Sequence, residues 1–182
     1  MPGAPDVQAG SDGEPYLYSG GWGNRGGAVD AGVQYSPRYN WWTLVLFHEV
    51  ARGRTRALVD RNFHFAAGTW LNTLVFNATT DDFVQVSAAG VPAAGYERQP
   101  NVRVLSAAMD PYFDWNGNGD GNILKMTTTL TASSGKILGA RWRNPLLFVY
   151  GSSSVFFPYY ECRQGNVEVV GGALDYTVNI GR

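Results

Sequence analysis

From Ile123 to Ala132 the chain alternates strictly. Leu124, Met126, Thr128, Leu130 and Ala132 fall on one side, and Lys125, Thr127, Thr129 and Thr131 on the other. A period of two with dense β-branching predicts a half-buried strand. Similar short apolar stretches, broken by Gly, Asn, Asp, Ser or Pro, recur at 16–19, 28–35, 42–49, 55–59, 70–77, 82–88 and 102–107. Four more follow at 146–150, 154–161, 167–170 and 174–180. The stretch from Trp41 to Arg54 also fits a helix, with Trp42, Val45, Leu46, Glu49 and Val50 on one face. A strand fits better. Trp42, Leu44 and Leu46 would fill one sheet face, and Trp41, Thr43, Val45 and Phe47 the other, as in a central strand. The pattern predicts an all-β chain, an antiparallel β-sandwich or jelly roll of about ten to twelve short strands.

Residues 1–15 are small, polar and turn-rich, which predicts a flexible N-terminal arm or linker. Residues 16–182 read as a single β-sandwich domain, with no internal repeat. A chain of 182 residues is long enough for one sizeable core. The formal net charge is −1 and only 16% of residues are charged. A nucleic acid or an anionic membrane surface would call for a basic face, so neither fits as the main partner. The apolar runs are too short for a helix that spans a bilayer. Met1 to Pro15 lacks the basic and apolar regions of a signal peptide. A secreted or extracellular protein is expected nonetheless, and a reducing compartment is compatible with a single cysteine. That cysteine, Cys162, excludes an intrachain disulfide and reads as a buried, inert thiol.

The densest local chemistry lies between Asp110 and Asn122. There Asp114, Asn116, Asn118 and Asp120 alternate with Trp115 and glycines. Counted from Asn116, oxygen-bearing side chains fall at positions one, three and five, with Gly121 at six and Ile123 at eight. This half-loop resembles the calcium loop of EF-hand and dockerin-type repeats, in which alternation aims several hard oxygens at one centre. The resemblance covers nine residues and implies calcium as a cofactor. The sequence departs from it at the twelfth position, where Thr127 stands in place of a bidentate Glu, and no helix pattern flanks the loop. Asn-Gly and Asp-Gly are also the commonest hairpin-turn pairs, so a glycine-rich turn is the other reading.

Aromatic residues make up 14% of the chain. Tyr18, Trp22, Tyr35, Tyr39, Trp41 and Trp42 crowd its first third, and Trp22 sits in a glycine-rich stretch with Arg25. Flat aromatic faces beside Asn, Asp and Arg suit sugar rings, whose C–H faces are apolar and whose hydroxyls need fixed partners. The expected ligand-binding residues are therefore Trp22, Arg25, Tyr39 and Trp115. The competing reading places these rings at the ends of the core.

Catalytic signatures are scarce. His48-Glu49 has no second His at metalloprotease spacing, no G-x-S-x-G elbow occurs, and the glutamates are scattered. Arg52, Arg54, Arg56 and Arg61 read as a solvated strand and turn. Three functions follow in order. The first is a non-catalytic domain of lectin or carbohydrate-binding-module type that binds a polysaccharide or other glycan, with calcium structuring the 110–122 loop. The second is a self-assembling homo-oligomeric subunit of a filament, coat or appendage. The third is a polysaccharide lyase or hydrolase using His48 or His64.

Overall fold

The computed structural model describes residues 1–9, 14–22, 28–51, 54–78, 83–108, 123–130, 135–144, 146–149, 152–155, 167–172 and 175–181. At 21–22, 28, 49–51, 76–78, 83, 123–130, 146–149 and 152–155 it describes the backbone alone. Its strands are β1 (Val7–Gln8), β2 (Pro15–Trp22), β3 (Ala28–Ser36), β4 (Trp41–Ala51), β5 (Arg54–Val59), β6 (Phe65–Ala66), β7 (Leu71–Ala78) and β8 (Phe83–Gly90). They continue with β9 (Val102–Ala108), β10 (Ile123–Leu130), β11 (Lys136–Arg143), β12 (Leu146–Val149), β13 (Ser152–Val155), β14 (Val167–Gly172) and β15 (Asp175–Ile180). The all-β expectation holds. The described residues contain no helix, and the strands pair antiparallel in a sandwich-like arrangement.

The largest sheet has the order β10-β2-β3-β4-β5, with β6 also pairing with β4. A second sheet runs β7-β8-β9, a third β1-β11-β15-β14, and β12 pairs with β13. The stretch at 41–51 is a strand inside the largest sheet, not a helix. Trp42, Leu44 and Leu46 pair in register with Tyr35, Val33 and Ala31 of β3, and all six side chains enter the core. On the other face Val45 is also fully buried. The apolar content of both faces is what a half-buried helix could not accommodate.

One hydrophobic cluster draws on all three larger sheets. It joins Leu17, Val33 and Trp42 of the first to Val84 and Val86 of the second and Ile137, Tyr176 and Val178 of the third. Beside it, Asp60 is buried under Arg103 from β9. Arg103 donates from Nε to Asp60 Oδ2 at 2.6 Å and from Nη2 to Oδ1 at 3.1 Å. The same guanidinium lies 5.2 Å from the centre of the Phe63 ring.

Three features depart from the sequence pattern. The segment 1–9 is fastened, not a loose arm. Val7 is buried and its strand pairs with β11. Trp42 Nε1 donates to the Pro2 carbonyl at 2.8 Å, and Gly68 N donates to the Met1 carbonyl at 2.9 Å. Polarity misleads here, because one valine and a few backbone groups suffice to dock a short segment against a strand with free partners. Strand β11 has no counterpart in the alternation pattern, because a register shift between Ile137 and Ala140 breaks its period near Gly139, at φ 71°. Trp22 ends a paired strand rather than riding on a loop. Its backbone faces Ala28 on one side and Ile123 on the other.

Candidate functional site

Alternation along β4 sends Trp42 into the core and Trp41 to the opposite face. The hairpin joining β3 to β4 places Tyr39 beside it. That turn is fixed by Asn40, which adopts φ 53° and donates its backbone N–H to the Ser36 carbonyl at 2.9 Å. Asparagine tolerates this left-handed conformation better than most residues. Its side-chain Oδ1 accepts from the Tyr35 hydroxyl at 2.8 Å and from the Ala4 backbone N–H at 2.9 Å. The turn, the core and the N-terminal segment are thus joined at one amide.

Tyr39 stacks on Trp41 with ring centres 4.4 Å apart and planes 18° apart. His64 stacks on Trp41 at 4.1 Å and 13°. Two rings at these distances take opposite faces of the indole. Tyr96 closes the side, meeting His64 edge-on at 4.9 Å and Trp41 edge-on at 5.8 Å. Phe63 backs Tyr96 at 5.9 Å. The segment carrying Tyr96 is strapped to the strand below it, because Ala93 N–H donates to the His64 carbonyl and Tyr96 N–H to the Ala93 carbonyl.

The outer end of the stack is partly covered: Tyr39 is 52% exposed, and the Arg38 guanidinium lies over its ring, 5.1 Å from the centre. The inner end is fixed by Thr43 Oγ1, 2.8 Å from His64 Nδ1. Burial pushes the His64 pKa down and outweighs the upward pull of Asp60, which favours the neutral imidazole. A ring pair of this geometry contributes about 0.5–1.5 kcal/mol beyond its buried area. The arrangement therefore presents a half-exposed, ordered aromatic ring with a cation over it.

Of the expected ligand-binding residues, Tyr39 is in this site. The side chain of Trp22, and both Arg25 and Trp115, lie outside the described residues, as do Asp114, Asn116, Asn118 and Asp120. Cys162 and Arg52 lie outside them too. Tyr35 and Trp42, counted among the crowded aromatics, are core residues. His48 is buried on β4, between Val29 and Arg56 of the neighbouring strands, and Arg54, Arg56 and Arg61 are exposed as expected. Sequence reasoning missed Arg38, Tyr96 and the stacked role of His64. Only Trp41 carried a signal, through its odd position in the alternation of β4. His64 and Tyr96 reach it through the pairing of β6 with β4 and through the 92–99 turn, both long-range events. No protein-family model matches this chain, and no curated protein matches it either.

Proposed function

We propose that this chain is a glycan-binding domain of the lectin or carbohydrate-binding-module type, with Tyr39 as its stacking platform. The observation that supports this reading is the half-exposed Tyr39 ring, held flat by the Trp41 and His64 rings behind it. A sugar ring laid on the half-exposed Tyr39 would share that ring with the Arg38 guanidinium lying over it, which can donate to hydroxyls. Trp22, Arg25 and Trp115 belong to the same proposal as further ligand contacts. Calcium held by Asp114, Asn116, Asn118 and Asp120 is its cofactor component, and a secreted location is the setting in which such a surface meets glycans.

The test is a glycan array probed with the intact protein, with calcium and with a chelator. Wild type should bind at least one neutral oligosaccharide, and Tyr39→Ala should weaken that binding at least tenfold. Tyr39→Phe should stay within about threefold of wild type, because stacking needs the ring and not the hydroxyl. Absence of any array signal, or full binding by Tyr39→Ala, sinks the reading. Calcium dependence that disappears in Asp120→Ala would support the metal component.

A second reading, a self-assembling structural subunit, draws on the outer face of the β7-β8-β9 sheet. Leu74 and Val104 lie on one row across it through Ser87, and Val102 lies on the next. Leu74, Val102 and Val104 are each at least half exposed. Strand β9 pairs only with β8 among the described residues, so it offers an edge to which a second copy could add. Light scattering at increasing concentration decides this reading. A strict monomer at millimolar protein removes it.

A further inference from the structure

We propose a second ligand site on the outer face of the β1-β11-β15-β14 sheet, built on Trp70 and Arg143 and suited to an anionic sugar ring. The oxyanion would be a uronate carboxylate or a sulfate ester. The site is separate from the Tyr39 platform and shares no residue with it.

The alternation of β11 and β15 builds this face. Ala140, Tyr176 and Val178 are buried on the inner side. Arg141, Arg143, Asp175 and Thr177 take the outer side. Arg143 lies opposite Asp175, and Arg141 lies opposite Thr177 in the adjacent row. Trp70 reaches over from the segment before β7. Trp70 is 49% exposed, and both guanidiniums lie over its ring, that of Arg143 at 4.6 Å and that of Arg141 at 5.7 Å from the centre.

The charges do not balance. Within this group Asp175 is the one carboxylate, and it meets both guanidiniums. Arg141 engages it with a fork, donating from Nε to Oδ1 at 2.6 Å and from Nη2 to Oδ2. The contact from Arg143 is looser, with Nε at 3.5 Å from Oδ2. Among the described residues this group of three keeps one positive charge in excess, and it is carried by the less engaged arginine. Arg143 is 47% exposed, so its fork is reachable from solvent.

Exposed ion pairs and exposed cation–π contacts add little to stability, so folding alone gives weak reason to order these long side chains together. A ligand gives a better one. The part of the Trp70 surface that the two guanidiniums leave uncovered takes the C–H face of a pyranose, and the Arg143 fork takes two oxygens of one oxyanion. The Thr177 hydroxyl in the next row can meet a ring hydroxyl. A neutral sugar would leave the excess charge unmatched.

The test is isothermal titration of the intact protein with four probes: a trigalacturonate, a heparin-derived tetrasaccharide, cellotriose and a dT oligonucleotide. Wild type, Trp70→Ala, Arg143→Gln and Tyr39→Ala are compared, each checked for native circular dichroism. At least one anionic saccharide should bind, and more tightly than cellotriose. Arg143→Gln and Trp70→Ala should each weaken it at least tenfold, while Tyr39→Ala should leave it within twofold. Added salt should weaken it further, as for any ion-paired ligand. Whether the uronate or the sulfated probe binds identifies the oxyanion. Binding by neither overturns the proposal. So does equal binding of the oligonucleotide, which would mark a general polyanion contact, or unchanged affinity in Arg143→Gln. If cellotriose binding disappears in Tyr39→Ala while anionic binding persists, both sites stand, and either can fail alone.

Discussion

Arg103 pairs with a buried carboxylate, and replacing it by Met removes the charge and the guanidinium over Phe63 while keeping an apolar stem. Asp60, 6% exposed in the intact protein, would keep the Asn62 backbone N–H, at 3.1 Å, as a donor. Breaking a buried ion pair by removing one partner costs about 3–5 kcal/mol, because the other charge is left uncompensated. The Arg103 side chain is 23% exposed, so water can enter the space it vacates. The lower end applies, about 3 kcal/mol. For a chain of this length that corresponds to roughly 6–12 °C in Tm. Asp60→Asn leaves a neutral group under a cation that water reaches, and should cost less, about 1–2 kcal/mol. The double variant removes both charges, so a double-mutant cycle isolates their coupling, expected near 2 kcal/mol. Urea denaturation followed by tryptophan fluorescence measures all four proteins. If Arg103→Met stays within about 0.5 kcal/mol of wild type, or the two substitutions simply add, the ion pair does not anchor this corner of the fold.

Other substitutions probe different parts of the structure. Trp42→Phe should lose about 1–2 kcal/mol, since it removes the Nε1 donor and leaves the Pro2 carbonyl unmet. Hydrogen exchange should then show early loss of protection at Val7, Gln8 and their partners on β11. Gly32→Ala should destabilise by about 3 kcal/mol or more, because a Cβ there runs into the Leu17 carbonyl oxygen and the Tyr18 Cα, and backbone cannot yield as a side chain does. Gly139→Asn should cost under about 1 kcal/mol by the same denaturation assay, since φ 71° suits asparagine and nothing lies within 4 Å of the added atom. His64 has a folded pKa below its ordinary 6.5, so the unfolded chain binds the proton more readily. The His64 contribution to stability should therefore fall as pH drops below 6.5 and level off once the folded imidazole protonates. His64→Phe should flatten that part of the Tm-against-pH curve.

Local pattern settled how the backbone behaves in most of this chain. Unbroken apolar content on both faces of Trp42 to Phe47 can be buried only in the middle of a sheet, and β4 is found there. Solvated arginines at 54 and 56 were equally readable, because an edge strand needs no apolar outer face. The pattern failed where one contact outweighed composition. Residues 1–9 look like linker, yet Val7 and the Pro2 carbonyl meet partners that exist only once β11 and Trp42 are in place. It failed again at β11, whose bulge disrupts the period of two.

The sites were less legible still. Tyr39 could be named as a ligand-binding candidate from the crowding of aromatics in the first third of the chain, but nothing local says that Trp41 will have His64 on its other face. Those residues are 23 positions apart, brought together by the pairing of β6 with β4. The same holds for Trp70, in the segment before β7, and Arg143, at the end of β11 in a different sheet. Alternation of side chains is a property of a few neighbouring residues, so sequence alone determines strands and their buried faces. Which two faces meet depends on sheet order and register, and those arise only when the whole core closes.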